Sequence, residues 1–568
     1  MDSRRVDDEG TPDVYRDLID KLRREGSVDE PIKEPYSMDW RAERGLVPAM
    51  LSRISKQPSW VPRIGELALF VRKLDGREEI CFEESSQEYK IYSLDDRQFK
   101  DHPRWEAGVI AQVNAEKVEI ADLVKETPDK EYQVNYSGFR VEPFPDPNSD
   151  EKPYSKQYKY VPLHYTRPFV FWAEFLKGKP EGTWHPTIKH AFTAMSTLSL
   201  IEKYHFKGTW PTASISCKGI CIGSEMVLVG DVVRLTPTPG STTMTDVLRI
   251  TSIKLEMTNL DKASDNDRDE GHPYNLCAHI YGKAYTLDAT RSSSGIPVPE
   301  SSLPADMAGY PNWYPRHDLG KSCRIPFSRV AGRIHNHEAM LLWFPGPQHA
   351  GDGIANDVAG DDYTPDLSHG LSGLLRAREY SRTHYRRIQG GKKWFWGDSR
   401  ADALDLETLN GAEVGRYDVE RDPKKWRKDI RVMEGVAGEA ERVEPKRAAG
   451  PESRLRGFSL ESGMVRSAMQ ADMEMEGVSG NGNEGSASEA VEEEGSRRKG
   501  SRSAAEAESE VNLDDEEMDV DQFVDELAGG IVFSGRGGEA DESEDEESVV
   551  VLEERSTPKK QRLQVVID

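Results

Sequence analysis

Apolar and polar positions change rhythm several times along the chain, and each change marks an element. Residues 1–58 are polar apart from Val14, Leu18, Ile19 and Leu22, whose spacing predicts one amphipathic helix stopping at Gly26. This helix reads as a tethered element or a partner-docking segment. From Trp60 the texture becomes β-like. Trp60-Val-Pro-Arg-Ile-Gly-Glu66 leads into alternating apolar residues up to Arg72, and Trp105–Val113 and Tyr132–Tyr136 follow with similar content. Residues 143–156 have the Pro, Asp, Asn and Ser density of a loop. Two helices are then expected. One runs from Arg167 to Leu176, before Gly178. The other starts at Pro186 and carries Ile188, Ala191, Met195, Leu198, Ile201 and Tyr204 every three or four positions.

Short strands return at Ala213–Cys217, Gly219–Ile222, Met226–Val229, Asp231–Leu235, Val247–Met257 and Leu276–Tyr281, with Gly and Pro between them. That spacing predicts a small antiparallel barrel or sandwich. A basic, aromatic helix is expected at 371–388. The chain thus divides into a polar segment 1–58, a β-rich module 59–166, a helical connector 167–207, a second β module 208–346, a basic aromatic extension 347–434 and a disordered acidic tail 435–568. The fold class is α+β, with β-rich modules joined by helices.

Charge changes the picture only for the tail. The formal net charge of the 568 residues is −26, yet 451–568 holds 31 acids against 12 bases, leaving the body near −7. The acidity therefore does not argue against nucleic-acid contact by the body. Five cysteines are too few, and odd in number, for a disulfide scaffold. No apolar run approaches the roughly 18 residues of a spanning helix, and the first residues hold no apolar leader core. An intracellular, soluble, reduced protein with no membrane association is expected.

Candidate chemistry is sparse. Gly230-Asp231 before Val232–Leu235 opens a strand as in many chromatin-binding barrels, and in many other β proteins too. Cys217, Cys221, Cys277 and His279 could form a zinc set, but strand positions four apart share a face, so core packing explains the first pair. His335 and His337 could ligate a metal, although no His-Glu-x-x-His occurs. No nucleophile elbow, phosphate loop or dinucleotide fingerprint is present. The basic aromatic stretch 376–397 offers Arg378, Arg382, Arg386, Arg387, Lys392 and Lys393 as phosphate contacts, interleaved with Trp394, Phe395 and Trp396. Its structural reading is a solvated face with a hydrophobic anchor. Lys559, Lys560 and Arg562, after Thr557-Pro558, suit a nuclear import receptor, and Ser496–Lys499 is a second basic cluster. The acidic runs at 514–517 and 541–547 read as solubilising or histone-contacting.

Between 159 and 257 several short strings stand in a recognisable order. They are Lys159-Tyr-Val-Pro-Leu163, Arg167-Pro-Phe, Trp184-His-Pro-Thr-Ile188, Phe206-Lys-Gly-Thr-Trp-Pro211, Cys217-Lys-Gly-Ile220 and Val229-Gly-Asp-Val-Val-Arg-Leu235. With Trp60–Glu66 and Tyr136–Pro143 they resemble the fungal transcription-silencing proteins of the cryptic loci regulator 2 family, well over 59–260 and loosely over 261–430. The resemblance implies a non-catalytic subunit, without cofactor, of a nuclear repressor complex coupling a Snf2-type remodeller to a histone deacetylase in heterochromatin. It implies a methyl-DNA-binding-like fold, a bromo-adjacent homology domain used for subunit docking, and no catalytic residues to carry over. The family's small N-terminal silencing module has no visible counterpart in 1–58. A sequence-specific DNA-binding regulator and a metal-dependent enzyme using His335 and His337 stand as the alternatives.

Overall fold

The computed structural model describes residues 13–33, 41–75, 77–113, 117–124, 139–152, 157–237, 243–262, 275–344, 365–388, 392–414, 428, 438 and 510–512. Residues 1–430 with 508–568 form one compact unit, and 431–507 another. The import clusters and the Tyr132–Tyr136 strand lie outside the described residues, as does the tail apart from Gly438 and 510–512. Among the described residues no helix is long and apolar enough to cross a membrane. No disulfide joins any of the five cysteines.

The N-terminal helix, α1 (Val14–Glu25), forms as the spacing predicts. Asp13 caps it by accepting from the Arg16 amide at 3.1 Å, and Gly26 ends it at φ +80°, where a side chain would be strained. It is not a separate segment, however. Leu18 and Leu22 are buried in the same apolar cluster as Phe206, Ile215 and Leu255. The following strand β1 (Ser27–Pro31) pairs with residues 205–209. A second helix, α2 (Arg41–Ile54), precedes the first β module.

That module contains β2 (Leu67–Phe70), β3 (Glu78–Glu83), β4 (Glu88–Ser93), β5 (Gln98–Phe99), β6 (Glu106–Gln112), β7 (Arg140–Pro143), β8 (Lys159–Tyr160) and β9 (Thr166–Pro168). One sheet has the order β8-β7-β6-β2-β9, and β3-β4-β5 form a separate three-stranded sheet. All four residues of β2 are buried, so this strand is covered on both faces rather than on alternate residues.

The expected helical connector is helical only in short pieces and ends as a strand. Arg167 lies in β9, and only α3 (Trp172–Phe175) and α4 (Pro186–Thr193) are α-helical between 167 and 207. Thr193 and Thr197 hydroxyls donate to the His190 and Ala194 carbonyls, both at 2.6 Å, and compete with the helix for its backbone acceptors. The chain then runs on as β10 (Thr197–Thr209), so Leu198, Ile201 and Tyr204 sit on a strand.

The second module continues with β11 (Thr212–Ile222), β12 (Glu225–Leu228), β13 (Val232–Leu235), β14 (Asp246–Thr258), β15 (Asn275–Thr286), β16 (Tyr314–Pro315), β17 (Ser322–Pro326) and β18 (Val330–Arg333). Then come α5 (His337–Trp343), α6 (Leu371–His384), β19 (Phe395–Gly397), α7 (Arg400–Ala403), β20 (Thr408–Leu409), β21 (Ala412–Glu413) and β22 (Glu510–Asn512). The large sheet runs β1-β10-β11-β14-β15-β17-β22, with β12, β13, β16, β18 and β19 attached beside it. Its ladders are antiparallel except β10 with β19 and β17 with β22. Register shifts at Lys203/His205 and Ile250/Ser252 interrupt the long ladders of β10 and β14. The β-rich α+β class read from the sequence holds. β22 is the described strand that comes from the acidic tail segment.

Two motifs far apart in sequence meet where the modules join. Arg63 grips Asp231 with both terminal nitrogens, at 2.6 and 2.9 Å. Asp231 also accepts from the Leu228 amide at 2.8 Å, within the turn made by Gly230 at φ +102°. Glu66 accepts from the Met226 amide at 2.9 Å and forms a two-point ion pair with Arg333. Arg333 in turn donates from its backbone to Glu225 at 2.7 Å and from its side chain to the Met226 carbonyl at 2.6 Å. All of these groups are buried or nearly so. Burial pushes the Glu225 carboxyl up. It opposes ionisation of Asp231 too, but Arg63 outweighs it and holds that carboxyl below its ordinary value. Arg333→Met should therefore cost roughly 3–5 kcal/mol, because it strands two buried carboxylates. The loss should appear as a lower urea midpoint in tryptophan fluorescence. Combining it with Glu66→Gln should recover part of the loss, the signature of a coupled pair.

Candidate functional site

The basic segment singled out from the sequence is placed on α6 and the turn after it, but with its charge arranged otherwise than expected. Leu371, Leu374, Ala377, Arg378 and Ser381 form the buried side of α6. Arg378 donates to the Val330 and Ser328 carbonyls at 2.8 and 3.3 Å and lies over the Trp394 ring at 5.1 Å. Burial, with Arg382 nearby, pulls its guanidinium down to about 9. Arg378 is thus a core cation, not a phosphate contact. Arg382 is half-buried, its charge 3.7 Å from Glu379. Arg387 is not a free surface charge either. It pairs with Asp402 at 2.7 Å and Asp405 at 3.3 Å, and stacks on Phe395 at 3.9 Å. Burial works against its charge, but Tyr385 and the two aspartates prevail and raise it.

Arg386 is exposed and hydrogen bonds to the Asn148 carbonyl at 3.0 Å, while Lys392 and Lys393 are half-buried just before β19. Trp394 is buried against Phe327, ring centroids 4.9 Å apart, so it anchors the strand rather than offering a face for bases. The hydrophobic-anchor reading describes the aromatics. Arg386, Lys392 and Lys393 remain the outward part of the basic set.

Of the zinc candidates, Cys277 and His279 are brought together. Cys217 and Cys221 are both buried, in different apolar clusters. His335 is buried, 5.7 Å from Phe171 and 5.3 Å from Trp343 by ring centroid. Burial, with Arg333, Arg234 and Arg63 around it, holds it well below the ordinary histidine value and therefore neutral. His337 instead lies against Tyr310 at 5.7 Å. Among the described residues no three His, Cys, Asp or Glu side chains gather as a metal site.

A polar cluster, of which the sequence offered only Cys277 and His279 as zinc candidates, lies across β14, β15 and β17. Alternation puts Cys277, His279 and Tyr281 on one face of β15. Cys277 Sγ is 3.7 Å from His279 Nε2, and His279 Nδ1 is 3.3 Å from Glu256. Arg324 reaches the same carboxylate at 2.7 Å, and Tyr281 donates to it. Burial opposes the His279 charge, but Cys277 and Glu256 raise its value to about 9. The legible signal was Cys277-x-His279-x-Tyr281, alternate polar groups on a strand. The buried junction also had a signal: Glu225 and Arg333 each interrupt an apolar run, which demands a partner.

These residues form a β-rich α+β body in which the strongest polar contacts join strands. Residues 216–336 match the family model "Transcription-silencing protein Clr2", so the resemblance read from the sequence holds over β11 to β18. A solved structure described as Clr2 bound to the Clr1 C-terminus is similar at 13% identity, covering 67% of this chain and 63% of that one, with a TM-score of 0.28. At that score the likeness carries no weight for the arrangement of the elements. The chain spans 63% of the length of that structure. No curated protein matches.

Two outcomes follow from the side-chain geometry. Arg387→Ala should destabilise the body by about 1–3 kcal/mol, because Asp402 stays buried without its cation; Arg386→Ala should change stability by less than about 0.5 kcal/mol. Thermal melts of the two variants test this contrast. His279 has its folded value raised from about 6.5 to about 9, so its stabilisation is complete below about pH 6.5 and disappears as pH rises through about 9. Allowing for solvent screening, wild type should lose about 1 kcal/mol relative to His279→Gln over that window. Urea melts at pH 6, 7.5 and 9 measure it.

Proposed function

We propose that this chain is a non-catalytic scaffold subunit of a nuclear transcription-silencing assembly, acting at heterochromatin together with remodeller and histone deacetylase modules. The match of residues 216–336 to the transcription-silencing family carries the reading. The module over 208–346 serves as a bromo-adjacent-homology-like docking body. The junction of Arg63, Glu66, Asp231 and Arg333 fits this role, since it holds both β modules to one shape. Partners are therefore other silencing-complex subunits, and no cofactor is required. Lys559, Lys560 and Arg562 supply the nuclear import signal.

Direct DNA contact is a subsidiary part of the proposal, now resting on Arg386, Lys392 and Lys393. Three neutralised phosphates give a log–log salt slope of roughly −2 to −3, and replacing all three cations with alanine should flatten it without unfolding the body. Deleting the chain should derepress a reporter inserted at a silenced locus and lower histone deacetylase occupancy there. The wild-type chain should restore both, and Arg333→Met should fail to. Unchanged reporter expression after deletion would overturn the silencing role.

A further inference from the structure

Cys277 stands on β15 at the end of a relay of side chains that a scaffold role leaves unused. Its Sγ lies 3.7 Å from His279 Nε2. His279 is 8% exposed, and its Nδ1 is 3.3 Å from both Glu256 and Arg324. A charged imidazole carries a proton on each nitrogen, so Glu256 accepts from Nδ1 and the Nε2 proton faces the sulfur. Arg324 and Tyr281 donate to the same carboxylate and hold it in place. Lys254, opposite His279 on β14, lies over the Tyr281 ring at 4.4 Å. Cys277, His279 and Glu256 thus stand in series as nucleophile, proton carrier and orienting group.

The other four cysteines lack that combination. Cys217, Cys221 and Cys323 are buried. Cys81 is half-buried, as Cys277 is, but burial and then Glu79 push its thiol up to about 11. The ladder between β15 and β17 begins at His279, so among the described strands Cys277 is paired with β14 alone.

We propose that Cys277 is an oxidation site for hydroperoxides, with His279 holding the proton that the departing oxygen takes. The thiolate sulfur attacks one peroxide oxygen, and the S–O bond forms as the O–O bond breaks. Hydroxide leaves with the Nε2 proton, so hydrogen peroxide ends as water and the cysteine as sulfenic acid. Sulfur gives up two electrons and the peroxide takes them. Hydrogen peroxide suits the site because it is small enough for a half-buried thiol, and because its leaving group needs a proton. Glu256, not a cysteine, stands opposite Cys277 on β14, so the sulfenic acid has no thiol across that ladder to condense with. This inference does not rest on the silencing reading.

The test treats the full chain with a small excess of hydrogen peroxide and traps sulfenic acid with a cyclic 1,3-diketone. Peptide mass spectrometry then reads the label on each of the five cysteines. An ordinary thiol is only a few per cent ionised at pH 7, so Cys277 should be labelled roughly tenfold faster than Cys81. Cys277→Ser should lose that label alone. His279→Gln should slow the labelling of Cys277 roughly tenfold at pH 7, and the two rates should converge near pH 10, where ordinary thiols ionise without help. Labelling of Cys81 as fast as Cys277, or no label on Cys277, would overturn the proposal. So would equal rates for wild type and His279→Gln at pH 7, or the same slowing at both pH values, which is the mark of a merely structural effect.

Discussion

The buried ionic junction between the 60–66 segment and the β12-β13 turn is the constraint on which the structure depends. Four charged side chains leave water there, and each finds a partner from the other end of the body: Arg63 with Asp231, Glu66 with Arg333. Such groups are expensive to bury alone, so the pairing admits one relative placement of the chain segments and penalises any other. Leu67 donates to the Ser224 carbonyl at 3.0 Å, and Arg400 reaches both Gly65 and Gly223, at 2.7 and 2.9 Å, which ties the C-terminal helix to the same spot.

With that junction fixed, the rest of the charge has little freedom. Arg378 and Arg387 are spent on carbonyls and aspartates that hold α6 and β19 in place. The aromatic run beside them is an anchor for a parallel edge strand. What is left outward is a modest basic set and the polar cluster around Glu256.

Much of the β architecture was legible because its signals are local. Glycine turns and apolar runs located β11 to β15 within a few residues, and Gly26 marked the end of α1. The failures have a common cause. The apolar spacing from Ile188 to Tyr204 fits a helix, yet hydroxyl groups at 193–199 and the pairing offered by β11 made the second half a strand. Arg378 and Arg382 shared a predicted charged face, but Arg378 turns inward, where it donates to the Ser328 and Val330 carbonyls.

The sequence by itself determined the α+β class, the positions of most strands, the acidic character of the tail and the order of short motifs that resembles the silencing family. These follow from periodicity, turn residues and composition, which act over a few neighbours. Only the tertiary structure decided which charges are buried, that Arg63 and Asp231 meet across 168 positions, and that Glu510–Asn512 closes the edge of the sheet. Partners of that kind are chosen by desolvation and backbone pairing between distant segments. Neither leaves a period in the sequence.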